Sequence, residues 1–202
     1  MNSYNSAKRN ALFACLLLGP LFQLIGDALW VNHNFSYAWN LWREASYIFF
    51  APVGFLLAKI LEPKNTRWAM IACAIYVVGC FGAATMMPLF RLGAFYTVSG
   101  HNQFPQIVQS VLDRKGFAAT LFLPGLCFPL SLIVFGIGFL KYKVLPAFYG
   151  FAFLGSGFMF WLGNAGEVDA VLVSGDAWMI IVFFCLGRLL FRQKHIQPEF
   201  SI

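Results

Sequence analysis

Long apolar runs separated by short polar segments dominate the chain. Six runs approach the length of about 20 residues that a helix needs to cross the hydrocarbon core of a membrane. They cover residues 10–31, 44–61, 68–90, 117–140, 145–163 and 168–191. The runs are continuously apolar and lack the alternation that is typical of lipid-facing strands. The pattern predicts an all-α fold, a polytopic membrane bundle of six transmembrane helices that forms a single integral membrane domain over residues 1–202.

The composition excludes most other classes of protein. Hydrophobic residues make up 60% of the chain and charged residues 11%, whereas an ordinary soluble domain is about 25% charged. A soluble fold of this size would expose much of that apolar surface to water. Intrinsic disorder, collagen and coiled coil are excluded by the same figures.

The basic residues predict the orientation of the bundle. With the N-terminus in the cytoplasm, ten of the 14 Lys and Arg residues fall on the cytoplasmic side and four on the outer side. Loops rich in Lys and Arg remain in the cytoplasm, so both termini are expected there, in a plasma (inner) membrane. The net charge of +6 therefore needs no nucleic-acid partner, and the expected partners are membrane lipids.

The longest segment between spans is the predicted outer loop, residues 91–116. Apolar residues recur in it at helical spacing, which predicts an amphipathic helix on the outer interface or over the end of the bundle. The alternative is a solvated connector with one docked helix. The apolar positions are Phe104, Ile107, Val108, Val111 and Leu112.

Two acids near the outer ends of spans are the sharpest candidates for chemistry. Asp27 lies in the first span, where Gln23 and Trp30 share its helix face, and Asp176 lies in the sixth. An ionisable side chain below the headgroups is costly and indicates function by default. If these two spans are neighbours, the carboxylates can share a proton or a cation. The alternative places each acid in the wet interface, paired with Arg43 or Arg91.

The polar and aromatic stretch 32–44 leads into the second span. Arg43 in this stretch could pair with Asp27 or Glu44, or hold an anionic headgroup through its planar guanidinium. The alternative is an interfacial aromatic belt with local ion pairs. We predict a pocket between the first, second and sixth spans, with Asp27 and Asp176 as the catalytic groups if the protein is an enzyme. The predicted ligand-binding residues are Gln23, Asp27, Trp30, Trp39, Arg43, Glu44, Asn164, Glu167, Asp169, Asp176 and Trp178.

No motif for a metal or a cofactor accompanies these acids. The five Cys residues lie inside apolar runs without a C-x-x-C, and His33, His101 and His195 lie outside the spans. Phosphate-binding, dinucleotide-binding and nucleophile-elbow motifs are missing from the sequence. We therefore predict no cofactor and no metal.

In the C-terminal half, a Phe/Leu/Gly-rich span over 135–140 is followed by a short basic loop, 141–143, then by Leu145–Pro146 and a Gly-rich span over 150–163. In this pattern the chain resembles a group of bacterial six-span integral membrane proteins of unknown function. The resemblance covers the last third to half of the chain. It implies an inner-membrane protein and supplies no catalytic residue.

Three functions remain open at this point. The first is a module that binds or transports a small cation, a proton or an organic ligand in an outward-facing acidic and aromatic pocket. The second is an intramembrane enzyme acting on a lipid or isoprenoid, with an Asp as the general acid. The third is an accessory subunit of a membrane complex. A homo-oligomer is compatible with all three.

Overall fold

A computed structural model describes residues 2–30, 37–98, 117–165 and 168–192. These residues form six helices and contain no strand. The helices are α1 (Asn2–Trp30), α2 (Tyr37–Leu61), α3 (Thr66–Val98), α4 (Phe117–Tyr142), α5 (Ala147–Ala165) and α6 (Asp169–Arg192). The predicted amphipathic helix in the outer loop lies outside the described residues, and so does Glu167.

Five of these helices contain a segment long and apolar enough to cross a membrane. The segments are Asn10–Trp30, Tyr37–Leu61, Thr66–Pro88, Leu123–Tyr142 and Asp169–Leu190. They confirm the predicted class, a helical multi-pass membrane protein. The remaining helix, α5, is 19 residues long and has no charged residue, but its hydropathy is lowered by glycine, tryptophan and tyrosine.

Two helices extend beyond the predicted spans at the ends for which the sequence predicts an extracytoplasmic position. The second span was predicted from residue 44, but α2 begins at Tyr37. The third was predicted to end at residue 90, but α3 continues to Val98. In α2 the charged pair Arg43 and Glu44 interrupts the apolar pattern without interrupting the helix, because the guanidinium of Arg43 is buried inside the bundle.

The six helices form a closed ring in chain order. Each helix packs against the next, α1 packs against α6, and α2 also touches α4 across the ring. The closest approach joins α3 to α4 at Gly79, where a β-carbon would collide with the backbone of Phe128. This order makes α1, α2 and α6 consecutive neighbours, which brings the three predicted site helices together.

Aromatic side chains fill the centre of the ring. The ring of Phe128 on α4 is fully buried and lies 5.0 Å from Phe50, 5.4 Å from Tyr76 and 5.4 Å from Phe160, measured between ring centroids. Phe50 in turn contacts Phe183 of α6 at 6.1 Å. The middle of the bundle is therefore a packed aromatic core.

The outward faces of the helices are apolar as well. Large side chains such as Ile48, Met70, Phe81 and Phe151 are each more than 60% exposed. A soluble protein of this size does not expose so much contiguous apolar surface. These faces are suited to lipid chains.

Charge divides the bundle into two ends. The end at which α1 and α5 finish and α2 and α6 begin is called the acidic end, because Asp27, Glu44, Asp169 and Asp176 lie towards it. The opposite end, at which α2 and α4 finish, is called the basic end. In the described part of the chain it carries Lys59, Lys64, Arg67, Lys141, Lys143 and Arg188.

Candidate functional site: a buried carboxylate and guanidinium cluster

An ion pair between α1 and α2 lies near the acidic end. The Nε atom of Arg43 is 3.0 Å from Oδ1 of Asp27, and both side chains are buried. Gly26 makes this approach possible, since a β-carbon there would lie 2.7 Å from Cγ of Arg43. The small residue beside Asp27 thus admits the arginine of the neighbouring helix.

A second set of hydrogen bonds fixes the other oxygen of Asp27. Nε2 of Gln23 donates to Oδ2 of Asp27 at 3.0 Å, and the hydroxyl of Ser46 on α2 lies 2.8 Å from Oε1 of Gln23. The hydroxyl of Ser46 also lies 2.7 Å from the carbonyl oxygen of Arg43. Oδ2 of Asp27 therefore accepts a hydrogen bond, whereas Oδ1 faces Arg43 at ion-pair distance without hydrogen-bond geometry.

Asp176 brings a second carboxyl group to the cluster from α6. Its side chain is fully buried, and neither of its oxygens has a hydrogen-bond partner of good geometry among the described residues. It lies within electrostatic range of both Asp27 and Arg43. Asp176 is thus the less satisfied of the two acids.

Aromatic rings and an amide surround the guanidinium on its remaining sides. The indole rings of Trp30 and Trp39 stack with centroids 4.4 Å apart, and Cζ of Arg43 lies 5.6 Å from the centroid of the Trp39 ring. Nη2 of Arg43 donates to Oδ1 of Asn164, at the end of α5, at 3.3 Å. Arg43 therefore connects α1, α2 and α5 and lies within electrostatic range of Asp176 on α6.

The cluster gathers seven of the predicted site residues: Gln23, Asp27, Trp30, Trp39, Arg43, Asn164 and Asp176. Of the two partners left open for Arg43, the structure selects Asp27. Glu44 is half-buried on a different face of α2, and Asp169 is half-buried in the first turn of α6. Of the alternative for the two acids, the pairing of Asp27 with Arg43 is present, whereas neither acid is exposed.

Trp178 lies away from the cluster. Its indole Nε1 donates to the carbonyl oxygen of Ala152 at 3.3 Å, and its ring contacts Phe148 at 6.2 Å. Those residues belong to the first two turns of α5, whereas Asn164 is at the other end of that helix. The structure thus does not bring Trp178 together with the other predicted site residues, and its side chain packs α6 against α5.

Three buried residues of α2 near Arg43, namely Asn40, Ser46 and Tyr47, are not among the predicted site residues. Ser46 and Tyr47 follow Arg43 by one helical turn, and Tyr47 interacts with the guanidinium. Asn40, one turn before Arg43, is fully buried too. The spacing 40, 43, 47 of polar residues on one face of α2 was the available signal.

The charges of the cluster do not balance. Two carboxyl groups share one guanidinium, and all three side chains are buried. An uncompensated buried charge is very unfavourable, so it is neutralised by a proton or paired with another cation. Among the described residues no group of three His, Cys, Asp or Glu side chains is arranged to hold a metal ion.

Comparisons with known proteins assign no family to the chain: no family model, no curated protein and no solved structure matches it.

Proposed function

We propose that this chain is a six-span inner-membrane protein that reversibly binds one proton at Asp176, reached from the extracytoplasmic side. The observation that carries the proposal is the excess of one buried carboxyl group over the guanidinium of Arg43. Reversible proton binding inside a helical bundle is the elementary step of proton-coupled transport. A module that binds or transports a small solute is accordingly the class we favour.

The charge distribution supports the orientation in this proposal. Positive residues of membrane proteins remain on the cytoplasmic side, and the described Lys residues lie at the basic end of the bundle. The cluster is at the opposite end. We therefore place α5 as the sixth span, since its 19 residues reach about 28 Å, and both termini in the cytoplasm.

A proton suits the cluster better than an organic cation. Arg43 already occupies the position that such a ligand would take, against the ring of Trp39 and the carboxylate of Asp27. A metal ion needs a shell of several oxygen donors, whereas a proton needs one carboxyl oxygen. Neither oxygen of Asp176 has a hydrogen-bond partner among the described residues, whereas Asp27 accepts a hydrogen bond from Gln23 and pairs with Arg43.

The aromatic core limits how the proton can move. Between the cluster and the basic end, packed side chains fill the centre of the ring of helices, including Phe50, Phe128 and Phe183. An open pore through the bundle is incompatible with this packing. Access from the acidic end alone is what a binding site, or one state of a transporter, requires.

The proposal is tested by titrating the tryptophan fluorescence of the purified protein in nanodiscs against pH. The Trp39 ring next to Arg43 is expected to respond when the charge of the cluster changes, with Asp27, Arg43 and Tyr47 as the other ionisable groups that face Asp176. The wild-type protein should show a transition that Asp176→Asn removes.

The matched control is Asp169→Asn, which removes a half-buried acid seven residues earlier on the same helix and should leave the transition in place. Sodium chloride is exchanged for choline chloride at constant ionic strength to separate protons from sodium. A midpoint of the titration that shifts with the sodium concentration would show that the site binds a metal cation instead of a proton. A transition that survives in Asp176→Asn would refute the proposal.

A further inference from the structure

Tyr76 on α3 places a hydroxyl group in the middle of the bundle. The residue is fully buried, and its hydroxyl has no hydrogen-bond partner among the described residues. Buried hydroxyl groups in native proteins almost always have a partner, either in the protein or in an ordered water molecule. The polar groups around Tyr76 are therefore the candidates for sharing such a partner.

Apolar groups hold the ring of Tyr76 in place. It packs 5.4 Å from Phe128 and 6.0 Å from Phe135, measured between centroids. On the α2 side it lies against Gly54, where any β-carbon would collide with it. The ring is thus fixed, and the hydroxyl cannot turn to a lipid-facing or solvent-facing position.

Polar side chains lie near Tyr76 in the core. Cys80, one turn along α3 from Tyr76, lies within electrostatic range of both Tyr76 and Tyr47. Tyr47 also packs on Phe128, at 5.5 Å, and interacts with the guanidinium of Arg43. Tyr47, Cys80 and Tyr76 therefore belong to one part of the core, where both tyrosine rings pack on Phe128.

We infer that a water molecule is bound between Tyr76 and Tyr47. This water extends the polar cluster inward, as far as the aromatic core. A buried water needs two to four polar partners, and the two hydroxyls and the Cys80 thiol provide three. The inference extends the proposed proton site inward. The water itself depends on the tyrosine hydroxyls and not on the charge of Asp176.

The test compares wild-type protein with Tyr76→Phe, which removes only the hydroxyl. Reversible unfolding in mixed micelles gives the equilibrium constant, and infrared spectra in ordinary and heavy-oxygen water detect the bound water. Losing a hydrogen bond inside a membrane bundle should raise the unfolding constant about threefold. One isotope-sensitive water band should disappear at the same time, while the control Tyr37→Phe, at a residue that is 59% exposed, should retain it.

Each other result overturns the inference. An unchanged or lower unfolding constant, with the water band retained, would show that the hydroxyl of Tyr76 binds no water molecule. A higher constant without loss of a band would show that its partner is a protein group. If Tyr76→Phe changed the unfolding constant equally in the wild-type and Tyr47→Phe backgrounds, Tyr47 would not share the water molecule with Tyr76.

The variant Asp176→Asn separates this inference from the proposed function. The water band should persist in it, whether or not Asp176 holds a proton. Loss of the band in this variant would place the water at the carboxyl groups and would overturn its assignment to Tyr76.

Discussion

Replacing Arg43 by Gln tests whether the buried ion pair is the element that holds the cluster together. Nε of Arg43 lies 3.0 Å from Asp27, Nη2 donates to Asn164 at 3.3 Å, and the side chain is 9% exposed. Removing one partner of a buried pair leaves an uncompensated charge and costs about 3–5 kcal/mol. The unfolding constant should then rise by about two to three and a half orders of magnitude.

Three further variants separate the effect of charge from the effect of packing. Asp27→Asn should cost less than Arg43→Gln, because Arg43 still lies within electrostatic range of Asp176. The double variant with both substitutions should be more stable than Arg43→Gln alone, since the unpaired carboxylate is gone. Arg43→Lys retains the charge but loses the planar fork that contacts Asp27 and Asn164 together, so an intermediate loss is expected.

The assay is reversible unfolding of the full chain in mixed micelles, monitored by far-ultraviolet circular dichroism. Arg43→Gln within about 1 kcal/mol of wild type would contradict the reasoning, because that is the scale of an exposed ion pair. A double variant that is no more stable than Arg43→Gln would show that the loss comes from packing and not from charge.

Three further predictions concern packing. Gly79→Ala should destabilise the bundle by about 1–3 kcal/mol, because the new methyl group meets the backbone of α4, whereas Gly155→Ala, whose nearest neighbour would be 3.9 Å away, should be almost neutral in the same unfolding assay. Phe128→Ala should cost about 3–5 kcal/mol from the centre of the core, and Leu123→Ala, on the same helix and 59% exposed, should cost far less. Trp178→Phe should lower stability by about 0.5–1.5 kcal/mol through its lost hydrogen bond to α5 and leave the pH midpoint of the fluorescence titration unchanged.

Apolar length was enough to predict the helices. In lipid, the backbone N–H and C=O groups of a single apolar run must form their hydrogen bonds within that run. An uninterrupted apolar run therefore crosses the membrane as a helix. The start of α2 could not be predicted in this way. Arg43 and Glu44 look like the end of a span in the sequence, and only the carboxylate of Asp27 on another helix makes a buried guanidinium tolerable there.

The sequence indicated which residues belong to the site better than it indicated how those residues are arranged. The proximity of Asp27 and Asp176 depended on α1 and α6 being neighbours, and the order of helices in a ring is not encoded in any local pattern. Trp178 was assigned to the pocket because it is near Asp176 in the sequence. At about 100° per residue two positions separate side chains by about 200°, so the indole faces α5 instead.

The central claim is that Asp176 holds a proton inside the bundle, and infrared spectroscopy measures this most directly. The protein in nanodiscs at neutral pH should show the carbonyl stretch of a protonated carboxylic acid. That band should vanish in Asp176→Asn and persist in Asp169→Asn. A spectrum without a protonated carboxyl band, or a band that remains in Asp176→Asn, would contradict the account.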